Sequence, residues 1–229
     1  MSMNSRLREL GRMIHRSAVG KNRCSGDIRL VVVTKTIDTG RILEAYQAGA
    51  RDFGENRVQE WREKKEILPA DIRWHLIGSL QTNKVKYVIG NVHLIHSLDR
   101  LELADEIERQ ARKKGIAGVP CLIQVNMSRE DTKSGVDPGQ IEKFLAGLGN
   151  YPSVKVKGLM TIGPLTEDET RIRDVFSKTR ELFEALRLKY ITYSWDILSM
   201  GMSSDYKIAI EEGSNMLRIG SLIFPREAK

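Results

Sequence analysis

Short β-branched apolar runs alternate along this chain with longer stretches whose apolar residues recur every three or four positions. The first pattern fits a strand buried on both faces, and the second a helix with one apolar face laid against it. Eight runs read as strands: Ile28 to Thr34, Asp52 and Phe53, Ile72 to Leu76, Val92 to Ile95, Pro120 to Asn126, Val154 to Met160, Asp196 to Ser199, and Asn215 to Ile219. Helical stretches lie between them at Thr39 to Gly49, Asn56 to Leu68, Thr82 to Ile89, Asp99 to Gly115, Pro138 to Leu148, Thr170 to Lys189, and Ser203 to Glu212. A further helix, Met3 to Val19, precedes the first strand. Asp99 with Glu102 three positions on reads as a capping box, and Pro138 suits a first helical turn. Gly115 and Gly213 suit helix ends.

Strand and helix in strict alternation predict an α/β fold with a parallel sheet. Eight such units would close into a single (β/α)8 barrel of TIM type with an extra N-terminal helix. An open doubly wound sheet is the alternative, because both architectures bury their strands on both faces. Nothing in the 229 residues looks like a linker, so one domain over 1–229 is expected.

Hydrophobic residues make up 41% of the chain and charged residues 29%, a balance that excludes a disordered chain. The net charge of +7 admits an anionic ligand. Its basic residues are spread over helices and mixed with acids, as in Glu108 to Lys114, which argues against nucleic-acid binding. Cys24 and Cys121 lack zinc or disulfide spacing. The charged start, and the lack of any apolar stretch near the roughly 20 residues that span a bilayer, point to the cytoplasm and away from membranes. A lone barrel is expected to be a monomer.

In such a barrel the chemistry belongs just past the C-terminal ends of the strands. Lys35 follows Leu30-Val31-Val32-Val33-Thr34, where burial would disfavour its ammonium form and free an amine able to attack an aldehyde. Spacing alone equally allows a lysine that snorkels at a strand end. Ser199-Met200-Gly201-Met202-Ser203 and Arg218-Ile219-Gly220-Ser221 follow the last two strands, where barrels often hold phosphate, and a helix starting near Ser203 would add its dipole. Arg218 is a fixed charge on a buried strand and requires a partner, either a carboxylate or a cofactor atom. His15, His75, His93 and His96 show no metal spacing, no serine sits in a GxSxG turn, and His75 reads as a core residue.

Val33-Thr34-Lys35-Thr36, Phe53-Gly54-Glu55-Asn56-Arg57-Val58-Gln59-Glu60 and Trp74-His75-Leu76-Ile77-Gly78-Ser79-Leu80-Gln81-Thr82-Asn83-Lys84 resemble motifs of the pyridoxal phosphate homeostasis protein family. The likeness continues through Lys133-Ser134-Gly135, Gly158-Leu159-Met160, Leu198 to Asp205 and Met216 to Ser221. The resemblance implies a barrel similar to the N-terminal domain of alanine racemase, with Lys35 in a Schiff base to pyridoxal 5′-phosphate. It implies that Ser199, Gly220 and Ser221 hold the phosphate, that Arg218 faces the pyridine nitrogen, and that Asn56 and Met160 line the ring. An arginine there disfavours ring protonation and weakens the ring as an electron sink. The family is regarded as buffering pyridoxal phosphate, with apo-enzymes as recipients and without an established turnover. Phe224-Pro225-Arg226 departs from the family pattern, where a glycine commonly follows the phenylalanine.

Two other functions use the same chemistry. An amino-acid racemase would need a second acid/base group beside Lys35, and none is evident. A lysine-dependent aldolase would share the Schiff base and the phosphate site, but the family motifs speak against it.

Overall fold

The computed structural model describes residues 1–130 and 132–225, so Arg226, and with it the end of the Phe224-Pro225-Arg226 departure, lies outside the described residues. Eight strands pair in sequence order and close on themselves: β1 (Arg29–Val33), β2 (Asp52–Glu55), β3 (Arg73–Leu76), β4 (Leu94–Leu98), β5 (Val119–Gln124), β6 (Val154–Met160), β7 (Ile197–Ser199) and β8 (Met216–Ile219). Every pairing is parallel, and β8 returns to β1 through Val31 opposite Arg218. The fold is therefore the closed (β/α)8 barrel and not the open sheet. Closure removes the two sheet edges an open arrangement would have to protect.

The helices are α1 (Met3–Val19), α2 (Thr39–Gln47), α3 (Val58–Lys65), α4 (Val85–Val88), α5 (Leu101–Lys113), α6 (Ile141–Leu148), α7 (Glu169–Lys189) and α8 (Tyr206–Glu211). Helix α1 matches the expected N-terminal helix and buries Met3, Leu10, Ile14 and Ala18, one face at helical spacing. Several starts differ from expectation. The Asp99 capping box does not form, because the Asp99 carboxylate takes Nη1 of Arg100 at 2.7 Å and the helix begins two residues later. Pro138 opens a 3-10 turn capped by Asp137, whose Oδ1 accepts from the Gly139 amide at 2.7 Å. The helix expected from Ser203 starts at Tyr206. Strand β4 lies later than Val92 to Ile95, which leaves His93 just outside it.

Alternation along each strand sorts side chains into two compartments. Val32, Phe53, Trp74, Ile95, Leu198 and Leu217 face the helices and join the large outer core. Val31, Leu94, Leu122, Met160 and Met216 form a separate cluster inside the barrel. In β6, Gly158 has φ +140°, and a Cβ there would lie 1.8 Å from the Ile197 carbonyl oxygen, so only glycine fits. None of the described helices is long and apolar enough to cross a membrane.

The barrel interior is not wholly apolar. His75, His96, Ser199 and Arg218 enter it from β3, β4, β7 and β8, all at most 4% exposed. Burial pushes both imidazoles below the usual histidine range, His96 furthest. On the outer side, Glu55 ends β2 fully buried and accepts from Lys64 Nζ and Thr34 Oγ1, each at 2.6 Å. Lys64 Nζ also donates to the Thr34 carbonyl at 2.8 Å, tying α3 to the ends of β1 and β2.

Lys64→Met would strip the cation from Glu55 and is expected to cost about 3–5 kcal/mol in denaturant unfolding. Burial already pushes the Glu55 carboxyl up, so the deficit should shrink at acid pH, where the variant's Glu55 takes a proton. The two imidazoles give a second expectation. Their folded values are depressed, so their share of stability is present above the unfolded value of about 6.5 and is lost as pH falls below it. Thermal melts should lose stability from pH 7 to pH 5, with a shallower slope in His96→Leu.

Candidate functional site

A cavity of about 610 Å³ opens at the C-terminal mouth of the barrel, within the usual size range for small-ligand sites. Seven of the eight strands contribute to it: Val33 at the end of β1 and Lys35 beyond it, Asn56 after β2, Ile77 to Ser79 after β3, Gln124 of β5 with the loop beyond it, Ile162 after β6, Met202 to Ser204 after β7, and Arg218, Gly220 and Ser221 of β8 and its loop. Among the described lining residues the ionisable ones are Lys35, Lys133 and Arg218, all cationic. The site is built to attract an anion.

Of the seven residues singled out from sequence, Lys35, Asn56, Arg218, Gly220 and Ser221 line this cavity. Met160 and Ser199 are fully buried and lie among the interior side chains, not among the lining residues. Lys35 itself is exposed, two residues beyond the end of β1, so the reasoning from a desolvated strand-end ammonium does not apply. What holds it is backbone geometry. Thr36 sits at φ 61°, a conformation costly for a β-branched residue. Its amide donates to Glu60 Oε2 at 3.1 Å, and its hydroxyl donates to the Lys35 carbonyl at 2.6 Å. Glu60 in turn lies 3.6 Å from Lys64, the cation that pairs with Glu55. The turn carrying Lys35 is thus pinned to α3 by charge.

Asn56 reaches the cavity because Gly78 lets two loops meet. A Cβ on Gly78 would fall within 2.4 Å of the Asn56 carbonyl oxygen. On the far wall, the hydrogen-bond pattern supplies a cradle. Among the described residues the main-chain amides of Ser203, Ser204, Gly220 and Ser221 donate to no other group of the chain. Two tight turns put them there: Asp205 and Tyr206 both donate back to the Met202 carbonyl, and Ile223 and Phe224 to that of Gly220. Successive amides at the start of such turns bind anions. Ser203, Ser204 and Ser221 add hydroxyls. Sequence reasoning placed the two loops correctly and missed Ser204, as well as Lys133 on the β5 side.

Arg218 forms the floor. Nη1 donates to the Ser199 carbonyl at 3.0 Å and to Ser199 Oγ at 2.7 Å, and Nη2 donates to the Thr161 carbonyl at 2.8 Å. No ion pair to a carboxylate forms among the described residues, although Asp205 is near enough to favour the charge. Burial brings the guanidinium down to about 10. A buried cation held by neutral acceptors and facing a cavity keeps capacity for an acceptor on a ligand.

At the opposite mouth Asp52, His75 and His93 present ligand-type atoms within 4.8 Å of one another. Both oxygens of Asp52 are engaged there. Arg73 donates from Nε at 2.9 Å and Nη2 at 2.5 Å, and His75 Nε2 lies 2.9 Å away. Against the desolvation that would raise it, these partners hold the Asp52 carboxyl well below the usual carboxylate range. A metal would have to displace the arginine, so this is first an ion-paired terminus of the interior polar chain.

A family model for the alanine racemase N-terminal domain matches residues 9–226. The chain is 45% identical over 219 residues to the pyridoxal phosphate homeostasis protein of Aquifex aeolicus, covering 95% of this chain and 93% of that one. To the protein of the same name from Escherichia coli it is 34% identical over 229 residues, covering 97% of each. PipY of Synechococcus elongatus, solved without and with PLP bound, is 32% identical, with TM-scores of 0.86 and 0.83 over 97% of this chain and 99% of that one. An alanine racemase from Clostridium difficile shares only the fold, at 15% identity and TM-score 0.70, and this chain spans 56% of it. The chain belongs to the pyridoxal phosphate homeostasis protein family, within the wider family of the alanine racemase N-terminal domain.

Proposed function

We propose that residues 1–229 act as one unit that binds pyridoxal 5′-phosphate and buffers or delivers it in the cytoplasm. The observation that carries this reading is the pairing, in one cavity, of an exposed lysine with a guanidinium floor and a cradle of amides that have no partner among the described residues. Each part meets a different group of the ligand. The amides and hydroxyls of Ser203, Ser204, Gly220 and Ser221 suit the phosphate. Arg218 suits the pyridine nitrogen, and Asn56 the ring. Ser199 supports Arg218 from below, and Met160 packs deeper in the interior cluster. Lys35 would supply the amine that condenses with the aldehyde, a carbon–nitrogen double bond forming as one water leaves. PipY with PLP bound, and the relatives' shared name, support the choice of ligand and role.

The lining favours a carrier over an enzyme. Pyridoxal phosphate supplies an electron sink when bound, and racemisation also needs proton donors on both faces of a substrate carbon. Among the described lining residues there is no histidine, tyrosine, cysteine or carboxylate to partner Lys35. Lys133 is engaged by Glu130 at 2.9 Å and by the Gly163 carbonyl at 2.8 Å. An arginine under the pyridine nitrogen disfavours ring protonation and keeps the cofactor a weak sink. Apo forms of pyridoxal phosphate enzymes are the recipients we propose, and a monomer suffices to present the cavity.

Purified protein incubated with pyridoxal phosphate should absorb as an imine, and borohydride followed by peptide mapping should place the reduced adduct on Lys35. Lys35→Ala should lose the band while keeping the wild-type circular dichroism spectrum. An adduct spread over surface lysines would remove this reading. Loaded protein should also activate an apo-transaminase added to it. Racemisation of an amino acid at enzymatic rates, abolished by Lys35→Ala, would replace the carrier reading with an enzyme.

A further inference from the structure

A hydrogen-bonded chain runs through the barrel interior and joins its two mouths. Asp52 Oδ1 lies 2.9 Å from His75 Nε2, and His75 Nδ1 lies 2.9 Å from His96 Nε2. His96 Nδ1 lies 3.4 Å from Ser199 Oγ, which accepts from Arg218 Nη1 at 2.7 Å. The residues climb the barrel in order, from the first residue of β2 to the third residue of β8. Only Arg218 among them lines the cavity.

We propose that this chain is a polarised strut, in which His75 and His96 act as positioning residues that hold Arg218 in the orientation the pyridoxal phosphate pocket needs. The identity of the ligand rests on the reading given under Proposed function. The orientation of the strut does not.

Its polarity follows from what each end can do. Arg218 has donors only, so Ser199 Oγ must accept from it. Asp52, held ionised by Arg73, has acceptors only, so His75 must carry its proton on Nε2. A neutral His75 then offers a lone pair at Nδ1, and His96 must carry its proton on Nε2 to fill it. The lone pair of His96 at Nδ1 is left for the Ser199 hydroxyl. The constraints from the two ends meet without conflict at Ser199. Every bond points from the cation at the cavity to the anion at the far mouth. Reversing either imidazole would place two donors or two acceptors face to face in the core, where an unmade hydrogen bond costs most.

The strut matters to Arg218 because, among the described residues, no carboxylate hydrogen-bonds to it and its direct acceptors are neutral. Its partners are Ser199 and the Thr161 carbonyl, and a Ser199 proton committed to His96 keeps the lone pairs of that hydroxyl turned toward the guanidinium. Breaking the chain frees that proton to compete with the guanidinium. His93 stands beside the strut without joining it: its ring packs 5.4 Å from that of His75, and it is exposed at the far mouth.

Nitrogen-15 histidine spectra of the full chain at neutral pH, which need no cofactor, should show His75 and His96 both neutral, with the proton on Nε2. Pyridoxal phosphate titrations then compare three variants. His75→Phe cuts the strut far from the cavity and should weaken binding about tenfold and shift the imine absorbance. His75→Gln can donate to Asp52 and accept from His96, and it should restore both. His93→Ala should match wild type. A proton on Nδ1 of either imidazole, or an imidazolium, overturns the proposal. So does a folded His75→Phe protein with wild-type affinity and spectrum, or a His75→Gln protein no better than His75→Phe. If His75→Phe does not fold, the spectra and the comparison of His75→Gln with wild type decide. Wild-type protein that takes up no pyridoxal phosphate, yet shows the expected tautomers, defeats the ligand reading and leaves the strut standing.

Discussion

Closing eight parallel strands forces every side chain to face either the helix layer or a narrow interior in which a charge has no water to turn to. One part of that interior is filled by Val31, Leu94, Leu122, Met160 and Met216. Another part holds Arg218 and the groups that make its burial tolerable. A guanidinium there is costly unless its donors are met, and three bonds to Ser199 and the Thr161 carbonyl meet part of them. The ionised partner stands at the other mouth, as Asp52 beside Arg73. The imidazoles of His75 and His96 bridge the distance between them.

A second polar network works outside the strands. Glu55, Lys64 and Thr34 lock the ends of β1 and β2 to α3, and Glu60 extends the lock to the strained amide of Thr36. Lys35 is exposed, and its placement depends on this lock rather than on burial. The two sides of the cavity are therefore supported in different ways: the lysine side by an ion-paired turn, and the opposite wall by loops in which the amides of Ser203, Ser204, Gly220 and Ser221 have no partner among the described residues. That contrast matches the division of labour proposed above, a wall of amides for a phosphate and an exposed amine for an aldehyde.

The eight strands, the eight helices and their order were legible because burial on both faces and amphipathic spacing leave separate marks on a chain. Helix starts were less so. Asp99 looked like a cap until the structure gave its carboxylate to Arg100, and Ser203 looked like a helix start although the chain turns first and coils only from Tyr206. Local signals of this kind name residues able to cap, and tertiary contacts choose among them.

By itself the sequence determined that this is a β/α chain with a lysine after its first strand and glycine-serine loops after its last two, since those facts depend on local pattern alone. Motif likeness added the family. Only the tertiary structure decided that Lys35 is exposed, that Met160 and Ser199 lie beneath the cavity, and that four scattered polar residues and one arginine form a continuous chain. The reason is geometric. Asp52, His75, His96, Ser199 and Arg218 are separated by up to 103 positions between direct partners, and no periodicity records a hydrogen bond made across the inside of a closed barrel.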